Sequence, residues 1–527
     1  MTILAVLLLV AVPLVPGVIG TGSAAALIAL PAESIVAVAL LAVLPWRVLR
    51  RVIALVFGLF IAAALLAAAI SAGFEYFLDI PFDPTDAPQL DDAFGVVRSS
   101  IGAGRAIAVL VGLIVVTLGI VAVMAWAALR VSAAIRRSRT RRSRGARLLG
   151  AATVVWLVSA LAGWPVAASA SLTALTSTTE QALVTHDAIS KLPHEIATDA
   201  YAELPSSGLL TALRGKDVVI AFVESYGQVA VQGTSFSGGV DRVLRSGQTQ
   251  LAAEGYSDES AWLTSPTFGG LSWLAHSTLQ TGLWINRQPI YGSVVRSTRF
   301  TLSDAFRKAG WNTVSDVPSD TQPWSFGTSF YHFGTLLNTH NVGYQGPSFG
   351  YARIPDEYTW KYFADHDLSG PHKPVMAEID LVSSHTPWAP LPQLVPWSQV
   401  GDGSVYGPQP AEGHSAGSVW RTAAGVQQAY GQSVQYSLGA MFDFLKNVDD
   451  PNLVLIELGD HQPATIVSGP GANHEVPISI IAKDPAVFRS IAGWHWQSGI
   501  LPTAAAPQWR MDAFRDRFLD AFDRAPQ

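Results

Sequence analysis

The first third of the chain consists mainly of long runs of Ala, Leu, Val and Ile separated by short polar segments. Five runs approach or exceed the length of about 20 residues that a helix needs to cross a bilayer. They lie near residues 2–20, 24–45, 52–73, 105–129 and 148–170. The first run lacks a basic leader and more runs follow it, which argues against a cleaved signal peptide. The pattern predicts a transmembrane domain of five helices over residues 1–170.

The charged residues between these runs predict their orientation, because loops rich in Arg stay in the cytoplasm. Arginines fill the loop between spans two and three and the loop between spans four and five, whereas acidic residues fill the loop between spans three and four. We therefore expect the N-terminus inside and everything after the fifth span outside. The arginines are Arg47, Arg50, Arg51, Arg130, Arg136, Arg137, Arg139, Arg141, Arg142, Arg144 and Arg147, and the acidic residues are Glu75, Asp79, Asp83, Asp86, Asp91 and Asp92.

The pattern changes after a Ser/Thr/Ala-rich segment, residues 171–212, which we interpret as a linker. Short continuous apolar runs follow, each of the length of a strand buried on both faces. They cover residues 217–223, 374–381, 452–458 and 476–482, with amphipathic segments such as 301–309 and 425–446 between them. This alternation predicts a three-layer α/β domain with a mostly parallel central sheet over residues 213–490. A C-terminal helical extension, residues 491–527, is expected to pack on the domain.

Composition narrows the possible functions. Charged residues make up 14% of the chain, against about 25% in ordinary soluble domains, which agrees with a membrane-embedded half. The formal net charge of -6 argues against a nucleic-acid partner, because binding to a phosphate backbone needs a concentrated basic surface. The chain contains no cysteine, which excludes disulfides, thiolate metal sites and a cysteine nucleophile.

Polar side chains follow the predicted strands where each one ends. Glu224 follows the first strand, and Asp460-His461 follow the strand at 452–458. The carboxyl ends of strands in an open α/β sheet are where sites are built, and two carboxylates with an imidazole suit Mn²⁺ or Zn²⁺. A hydroxyl bound to such a metal becomes a nucleophile near neutral pH. Thr267 is our candidate, because the turn residues after it lead into a predicted helix from about residue 271.

Other residues leave alternatives open. Thr264 and Ser265 are hydroxyl-bearing neighbours of Thr267, and either one is an alternative to it. His385, after the strand at 374–381, and His474, before the strand at 476–482, are expected to bind a second metal or contact the substrate. Each signal taken singly also has an ordinary explanation, since a strand-end Glu is often only solvated and an Asp-His pair often only forms a turn.

Taken together, residues 215–490 resemble the alkaline phosphatase/sulfatase superfamily, and within it the branch of lipoteichoic acid synthases and phosphoethanolamine transferases. The matching segments are Val-Ile-Ala-Phe-Val-Glu-Ser-Tyr ending at 226, Leu-Gly-Asp-His-Gln-Pro ending at 463, and Ser-Ser-His-Thr-Pro ending at 387. The resemblance implies that Glu224, Thr267, Asp460 and His461 bind the metal and that Thr267 is the nucleophile. It also matches His385 and His474 to histidines of the family.

Departures from the family bear on the substrate. The Cys/Ser-X-Pro-X-Arg motif of formylglycine sulfatases is absent, so sulfate-ester hydrolysis is not expected. Lipoteichoic acid synthases carry a Trp-X-Arg segment that holds glycerophosphate, and Trp324-Ser325-Phe326 keeps the Trp without the Arg. Trp324 is therefore a candidate substrate contact, whereas polyglycerophosphate synthesis is not implied. The cysteine pairs usual in phosphoethanolamine transferases are missing.

We therefore expect a metal-dependent phosphotransferase that acts on lipid or polymer phosphodiesters of the cell envelope, anchored in a bacterial membrane with its catalytic domain outside. A hydrolase with the same site, either a phosphodiesterase or phosphatase or a sulfatase-type enzyme, is the first alternative. A non-catalytic envelope assembly or binding protein is the second. Residues 395–420, rich in Pro, Trp, Gly and Ser, are expected to form a lid or binding loop, as long irregular loops often do.

Overall fold

Two units make up this computed structural model, which describes residues 1–87, 90, 94–95, 98 and 102–523. The first comprises Met1–Tyr76 and Ile80–Asp187, and the second comprises Phe77–Asp79 and Ala188–Gln527. Asp91 and Asp92, two residues of the predicted outside loop, lie outside the described residues.

Helices dominate the first unit, as its apolar runs predict. They are α1 (Thr2–Ala11), α2 (Val15–Thr21), α3 (Ala32–Val43), α4 (Arg47–Leu78), α5 (Ala103–Arg136), α6 (Arg139–Leu161) and α7 (Ala170–Ala197). In the part of the chain that the structure describes, four helical stretches are long and apolar enough to cross a membrane. These are Thr2–Thr21, Arg47–Leu78, Ala103–Arg136 and Thr140–Leu161.

The second predicted span does not form a helix of membrane-spanning length. Only 12 residues, Ala32–Val43, form the helix α3 within the apolar run 24–45. Pro31 caps its start with extended backbone, and Leu44, the residue before Pro45, is also extended, because a following proline disfavours helical backbone. The expectation of five membrane-length helices is therefore corrected to four such helices and one short apolar helix.

A nine-stranded sheet forms the centre of the second unit. Its strands are β1 (Asp217–Val223), β2 (Ser257–Thr264), β3 (Asn312–Val317), β4 (Thr335–Asn338), β5 (Val375–Leu381), β6 (Leu453–Gly459), β7 (Glu475–Ala482), β8 (Gln497–Ser498) and β9 (Gln508–Arg510). The order is β8-β2-β7-β6-β1-β5-β3-β4, with β9 also paired to β2. The four strands expected from the apolar runs lie next to one another as β7-β6-β1-β5.

The sheet is mixed in strand direction, whereas the sequence predicts a mostly parallel one. Strands β6, β1, β5, β3 and β4 run parallel to one another, whereas β7 runs antiparallel to both β6 and β2. Because β7 is reversed, its first residue lies at the sheet edge where β1 and β6 end. This reversal brings His474 to the same edge as Glu224 and Asp460.

Helices cover both faces of the sheet, which gives the three layers. They are α8 (Ser237–Ala253), α9 (Ser272–Thr281), α10 (Gln288–Val294), α11 (Leu302–Ala309), α12 (Asp356–His366), α13 (Ala423–Asn447), α14 (Pro485–Ser490) and α15 (Phe514–Phe522). Alternate residues of β1 enter opposite cores, with Ile220 and Phe222 on one face and Val219 and Ala221 on the other. All four are at most 1% exposed, which explains why this strand is apolar without interruption.

The C-terminal segment is built into this domain. It supplies β8 and β9 to the sheet, and α15 buries Phe514, Phe518 and Phe522 in the core. Arg515 on the same helix pairs with Asp199 at 2.8 Å, and both side chains are at most 2% exposed. The segment is therefore part of the domain's sheet and core as well as a helix packed on it.

The loop at residues 395–420 is anchored at both ends. Near its start, the Glu357 carboxylate accepts hydrogen bonds from the Val395 N–H at 3.1 Å and the Tyr406 hydroxyl at 2.8 Å. Burial raises the pKa of Glu357 to about 7. At the other end, Trp420 stacks on Trp388 and donates from Nε1 to the carbonyl of Pro387. These contacts hold the loop against the domain.

Candidate active site

Glu224 lies at the end of β1, where the chain turns sharply. The next residue, Ser225, has a left-handed backbone with φ of 58°, a conformation that costs energy for a residue other than glycine. The turn directs the Ser225 N–H to Asp460 Oδ1 at 2.7 Å. The turn after β1 thus binds directly to the turn after β6.

Asp460 and His461, which follow β6, lie at the same edge of the sheet as Glu224. Gly459 precedes them, and a Cβ on it would meet the Tyr226 carbonyl oxygen at 1.9 Å, so only glycine allows the two turns to approach this closely. Asp460 Oδ1 also accepts the N–H of His461 at 2.7 Å. His461 places Nδ1 2.8 Å from the carbonyl of Gln462, which orients the ring and leaves Nε2 as the ligand atom.

The side chains of Glu224, Asp460 and His461 converge. His461 Nε2 is 3.4 Å from Glu224 Oε1 and 3.5 Å from Asp460 Oδ2. Each residue offers a ligand atom, and these atoms all lie within 4.8 Å of one another. The sequence-based grouping of these three residues is therefore a spatial cluster in the structure.

Charge interactions shift the pKa values within the cluster. Burial opposes ionisation of Glu224, but the imidazoles of His385 and His461 outweigh it and lower the pKa of that carboxyl. Burial and the charge of Glu224 raise the pKa of Asp460 to about 6. Burial works against the charged form of His461, yet Asp460 and Glu224 raise its pKa to about 9. Excess negative charge is thus concentrated at this point, which favours a cation.

Two hydroxyls among the described residues contact side chains of this cluster: Ser225 Oγ donates to Glu224 Oε1 at 3.0 Å, whereas Ser272 reaches both Glu224 and His461. Ser272 is the first residue of α9, and Leu271 before it has a left-handed backbone with φ of 66°. Ser272 donates to Glu224 Oε2 at 2.9 Å, and its Oγ is 3.2 Å from His461 Nε2. At the start of a helix, free backbone N–H groups also favour an anion.

Thr267, the predicted nucleophile, lies in the loop before that helix. Its Oγ1 is 3.4 Å from Ser265 Oγ, and its N–H donates to the same Ser265 oxygen at 3.2 Å. Ser265 in turn donates to the main-chain carbonyl of Asp460, so both hydroxyls are engaged in supporting the loop. The structure therefore places Ser272, and not Thr267, within hydrogen-bond distance of Glu224 and His461. The signal for this was a serine after Gly-Gly-Leu at the start of a predicted helix.

The three remaining candidates occupy different places. His385 stacks on Tyr351, with ring centres 3.7 Å apart, and is close enough to lower the pKa of Glu224. His474 packs its ring beside Phe268 at 5.4 Å, and its carbonyl accepts the N–H of Ser265. Trp324 packs against Tyr331 and Phe333. His385 thus lies near Glu224, His474 borders the loop that precedes Ser272, and Trp324 packs against two aromatic rings.

The donor set can be tested for its fit to a divalent metal. Ligands held 2.0–2.2 Å from a tetrahedral metal lie about 3.4 Å from one another, and the distances from His461 Nε2 to the two carboxylates are 3.4 and 3.5 Å. Asp460 Oδ2 is a buried oxygen that has no hydrogen-bond partner among the described residues. Two carboxylates, an imidazole and a hydroxyl at these distances fit Mn²⁺ or Zn²⁺.

Comparison with known proteins finds similarities to solved structures. Neither the models of known protein families nor the curated proteins match this chain. Solved structures do match. The lipoteichoic acid synthase LtaP of Listeria monocytogenes is 13% identical with a TM-score of 0.36, and the match covers 60% of this chain and 74% of that one. An alkaline phosphatase superfamily protein of Vibrio parahaemolyticus is 17% identical with a TM-score of 0.35, covering 54% and 70%.

A third match extends over most of this chain. The integral membrane lipooligosaccharide phosphoethanolamine transferase EptA of Neisseria meningitidis is 14% identical with a TM-score of 0.45, covering 93% of this chain and 86% of that one. At these identities and TM-scores the matches are similarities only, and they assign no family or role to this chain.

Proposed function

We propose that this chain is a membrane-anchored, divalent-metal-dependent phosphotransferase that uses Ser272 as its nucleophile. The observation that carries the proposal is the contact of the Ser272 hydroxyl with Glu224 and His461, at 2.9 and 3.2 Å, at the start of a helix. The sequence resemblance to lipoteichoic acid synthases and phosphoethanolamine transferases supports it, with Ser272 in the role that the motif comparison assigned to Thr267.

Each residue of the site would have its own role in the transfer of the phosphoryl group. Glu224, Asp460, His461 and Ser272 would hold the metal. When bound, a divalent cation supplies Lewis-acid chemistry that favours loss of the hydroxyl proton and offsets phosphoryl charge. Ser272 Oγ forms a bond to the phosphorus of a phosphodiester, and the lipid alcohol leaves with a proton. A second alcohol then takes the phosphoryl group from Ser272, which recovers its proton. The N–H groups at the start of α9 and the nearby His385 would bind the phosphoryl oxygens.

The first unit supports an anchor that crosses the membrane five times, with α3 as a short crossing. Leu30–Pro31, just before α3, pairs with Ala167–Ala168, which follow α6. At the other end of α3, the carbonyl of Leu44 accepts a bond from Arg136 at 3.4 Å. Twelve helical residues at about 1.5 Å and three extended ones at about 3.3 Å cover roughly 28 Å, which is close to the hydrocarbon thickness. The end of α3 at Leu44 thus lies next to Arg136. The other end, at Leu30–Pro31, lies next to the segment that leads to the catalytic domain.

This topology predicts which residues a membrane-impermeant thiol reagent reaches in intact cells. The chain has no cysteine, so a single introduced cysteine gives a signal without background. Ser23→Cys, before α3, is expected to label from outside, and Ser138→Cys, in the arginine loop, is expected to label only after the cells are opened. If Ser23→Cys labels only in opened cells, α3 does not cross the membrane.

A transfer assay tests the reaction itself. The purified full-length chain, loaded with Mn²⁺ or Zn²⁺, is incubated in mixed micelles with phosphatidylglycerol or phosphatidylethanolamine and a glycan or lipid acceptor. Beyond the single equivalent per chain that loads Ser272, we expect diacylglycerol to form only when the acceptor is present, with the phosphorylated headgroup recovered on the acceptor. The chelated protein serves as the control. Free headgroup phosphate at the same rate without acceptor would identify a hydrolase, and no turnover on any phosphodiester would favour a binding protein.

A further inference from the structure

A second group of potential metal ligands lies where α9 packs on the sheet. His276 follows Ser272 by one helical turn, and residues with this spacing share a face of a helix. The His276 ring stacks on Phe222, with centres 3.8 Å apart and planes within 15°. Phe222 precedes Glu224 by two residues on β1, so the His276 ring lies next to the strand that carries the first cluster.

Two carboxylates of the neighbouring strand face this histidine. Glu378 and Asp380 alternate along β5 and so project from the same face of the sheet, and Asp380 is paired in register with Phe222. His276 Nδ1 is 3.5 Å from Asp380 Oδ1 and 3.6 Å from Glu378 Oε1. The three side chains are 13%, 17% and 7% exposed, for His276, Asp380 and Glu378 respectively, so solvent reaches them little.

These distances resemble those between metal ligands more than those of hydrogen bonds. A charge-assisted hydrogen bond between a ring nitrogen and a carboxylate is about 2.7–2.9 Å long. Ligands of a tetrahedral Zn²⁺ lie about 3.4 Å apart. In the first cluster the corresponding distances are 3.4 and 3.5 Å, so the two groups share the same spacing and the same combination of one imidazole and two carboxylates.

The remaining atoms are arranged so that one oxygen of each carboxylate faces the histidine. Gln280, one turn further along α9 from His276, donates to Glu378 Oε2 and leaves Oε1 directed at His276. Asp380 Oδ1 is a buried oxygen that has no hydrogen-bond partner in the described part of the chain. An outer residue that orients a ligand carboxylate, as Gln280 orients Glu378, is a usual feature around metal ligands.

We propose that His276, Glu378 and Asp380 form a second divalent-cation site, which takes Mn²⁺ or Zn²⁺. A cation with two positive charges neutralises the two carboxylates when the imidazole is neutral, and it would offset their burial. The site stands on its own donor set and does not depend on the reaction proposed for Ser272. If that reaction holds, the second cation adds positive charge beneath the helix that begins at the nucleophile.

Counting bound metal in the full-length chain tests this proposal without any substrate. Purified protein in detergent is stripped with chelator, titrated with Mn²⁺, and the ions that survive desalting are counted by elemental analysis. We expect two ions per chain in the natural protein and one in Asp380→Asn. Asp316→Asn is a matched control, because Asp316 is a buried carboxylate on the adjacent strand β3 with both oxygens unpartnered among the described residues. It is expected to keep two.

Location of the ions gives a second measurement if Asp380→Asn fails to fold. Anomalous scattering from Mn²⁺ in crystals of the natural protein is expected at both clusters. One ion per chain in the natural protein, confined to Glu224, Asp460 and His461, would overturn the second site, as would two ions retained in a folded Asp380→Asn variant. Because no substrate enters either measurement, failure to observe phosphotransfer would leave a count of two ions intact.

Discussion

Replacing Ser272 with alanine is expected to lower phosphotransfer by roughly 10³-fold or more, the scale seen when a catalytic nucleophile is removed. The reason is that Ser272 Oγ lies 2.9 Å from Glu224 and 3.2 Å from His461, so its loss removes the atom that bonds to phosphorus. Ser272→Thr keeps a hydroxyl and is expected to retain measurable transfer. The measurement is the initial rate of diacylglycerol release by the full-length, metal-loaded chain.

Thr267→Ala is the matched control for this substitution. Both changes remove one hydroxyl from the same stretch of chain, but Thr267 contacts Ser265 rather than the cluster. Its rate is expected to stay within about tenfold of the natural protein, since a lost buried hydroxyl perturbs mainly the loop. Mass spectrometry of protein quenched during turnover should place a phosphoryl adduct on the peptide that contains Ser272. Transfer that survives Ser272→Ala and disappears in Thr267→Ala would reverse the assignment.

Asp460→Asn has the second large expected effect, through loss of the metal. Asp460 Oδ1 accepts N–H groups from both Ser225 and His461 at 2.7 Å, while Oδ2 faces His461 Nε2 at 3.5 Å. An amide group cannot satisfy both sides. If its oxygen accepts the two N–H groups, its NH₂ faces the cation, and if it turns over, the NH₂ opposes two N–H donors. We expect metal affinity and transfer to fall by at least about 100-fold.

Chelation and reloading separate this effect from misfolding. Transfer by the natural protein is expected to vanish on chelation and return with added Mn²⁺ or Zn²⁺, whereas Asp460→Asn should regain little at the same concentration. Asp316→Asn again serves as the comparison, because it changes a buried carboxylate away from the Glu224 cluster and should reload normally. Full activity of Asp460→Asn in the presence of chelator would exclude a metal role for this carboxylate.

Much of the fold follows from local sequence pattern. Continuous apolar runs predict β1, β5, β6 and β7 because each strand is covered on both faces, and burial selects apolar residues at every position. The same pattern cannot specify the direction of a strand in the sheet, because a run of valines and isoleucines is buried equally well in either direction. The reversal of β7 is therefore invisible in the sequence, although it determines which end of the strand reaches the site.

The length of the helix α3 is another feature that the apolar pattern alone does not predict. Apolar composition extends through residues 24–45, but the helix is confined to Ala32–Val43 by prolines on either side. Proline positions were visible in the sequence, whereas their consequence depends on whether neighbouring segments hold the chain extended there. The pairing of Leu30–Pro31 with Ala167–Ala168 does so at the start of the helix. That contact joins residues far apart in sequence.

The proposed metal site shows the same division between what local pattern predicts and what packing decides. Sequence pattern predicts that Glu224, Asp460 and His461 share one edge, because strand ends with polar residues meet there in an open sheet. The sequence pattern could not distinguish two hydroxyls five residues apart, since a turn of the backbone decides which one faces Glu224 and His461. The left-handed Leu271 and the start of α9 place Ser272 there. Only the tertiary structure brought His276 to Glu378 and Asp380, because contacts between a helix and a strand depend on packing rather than on spacing along the chain.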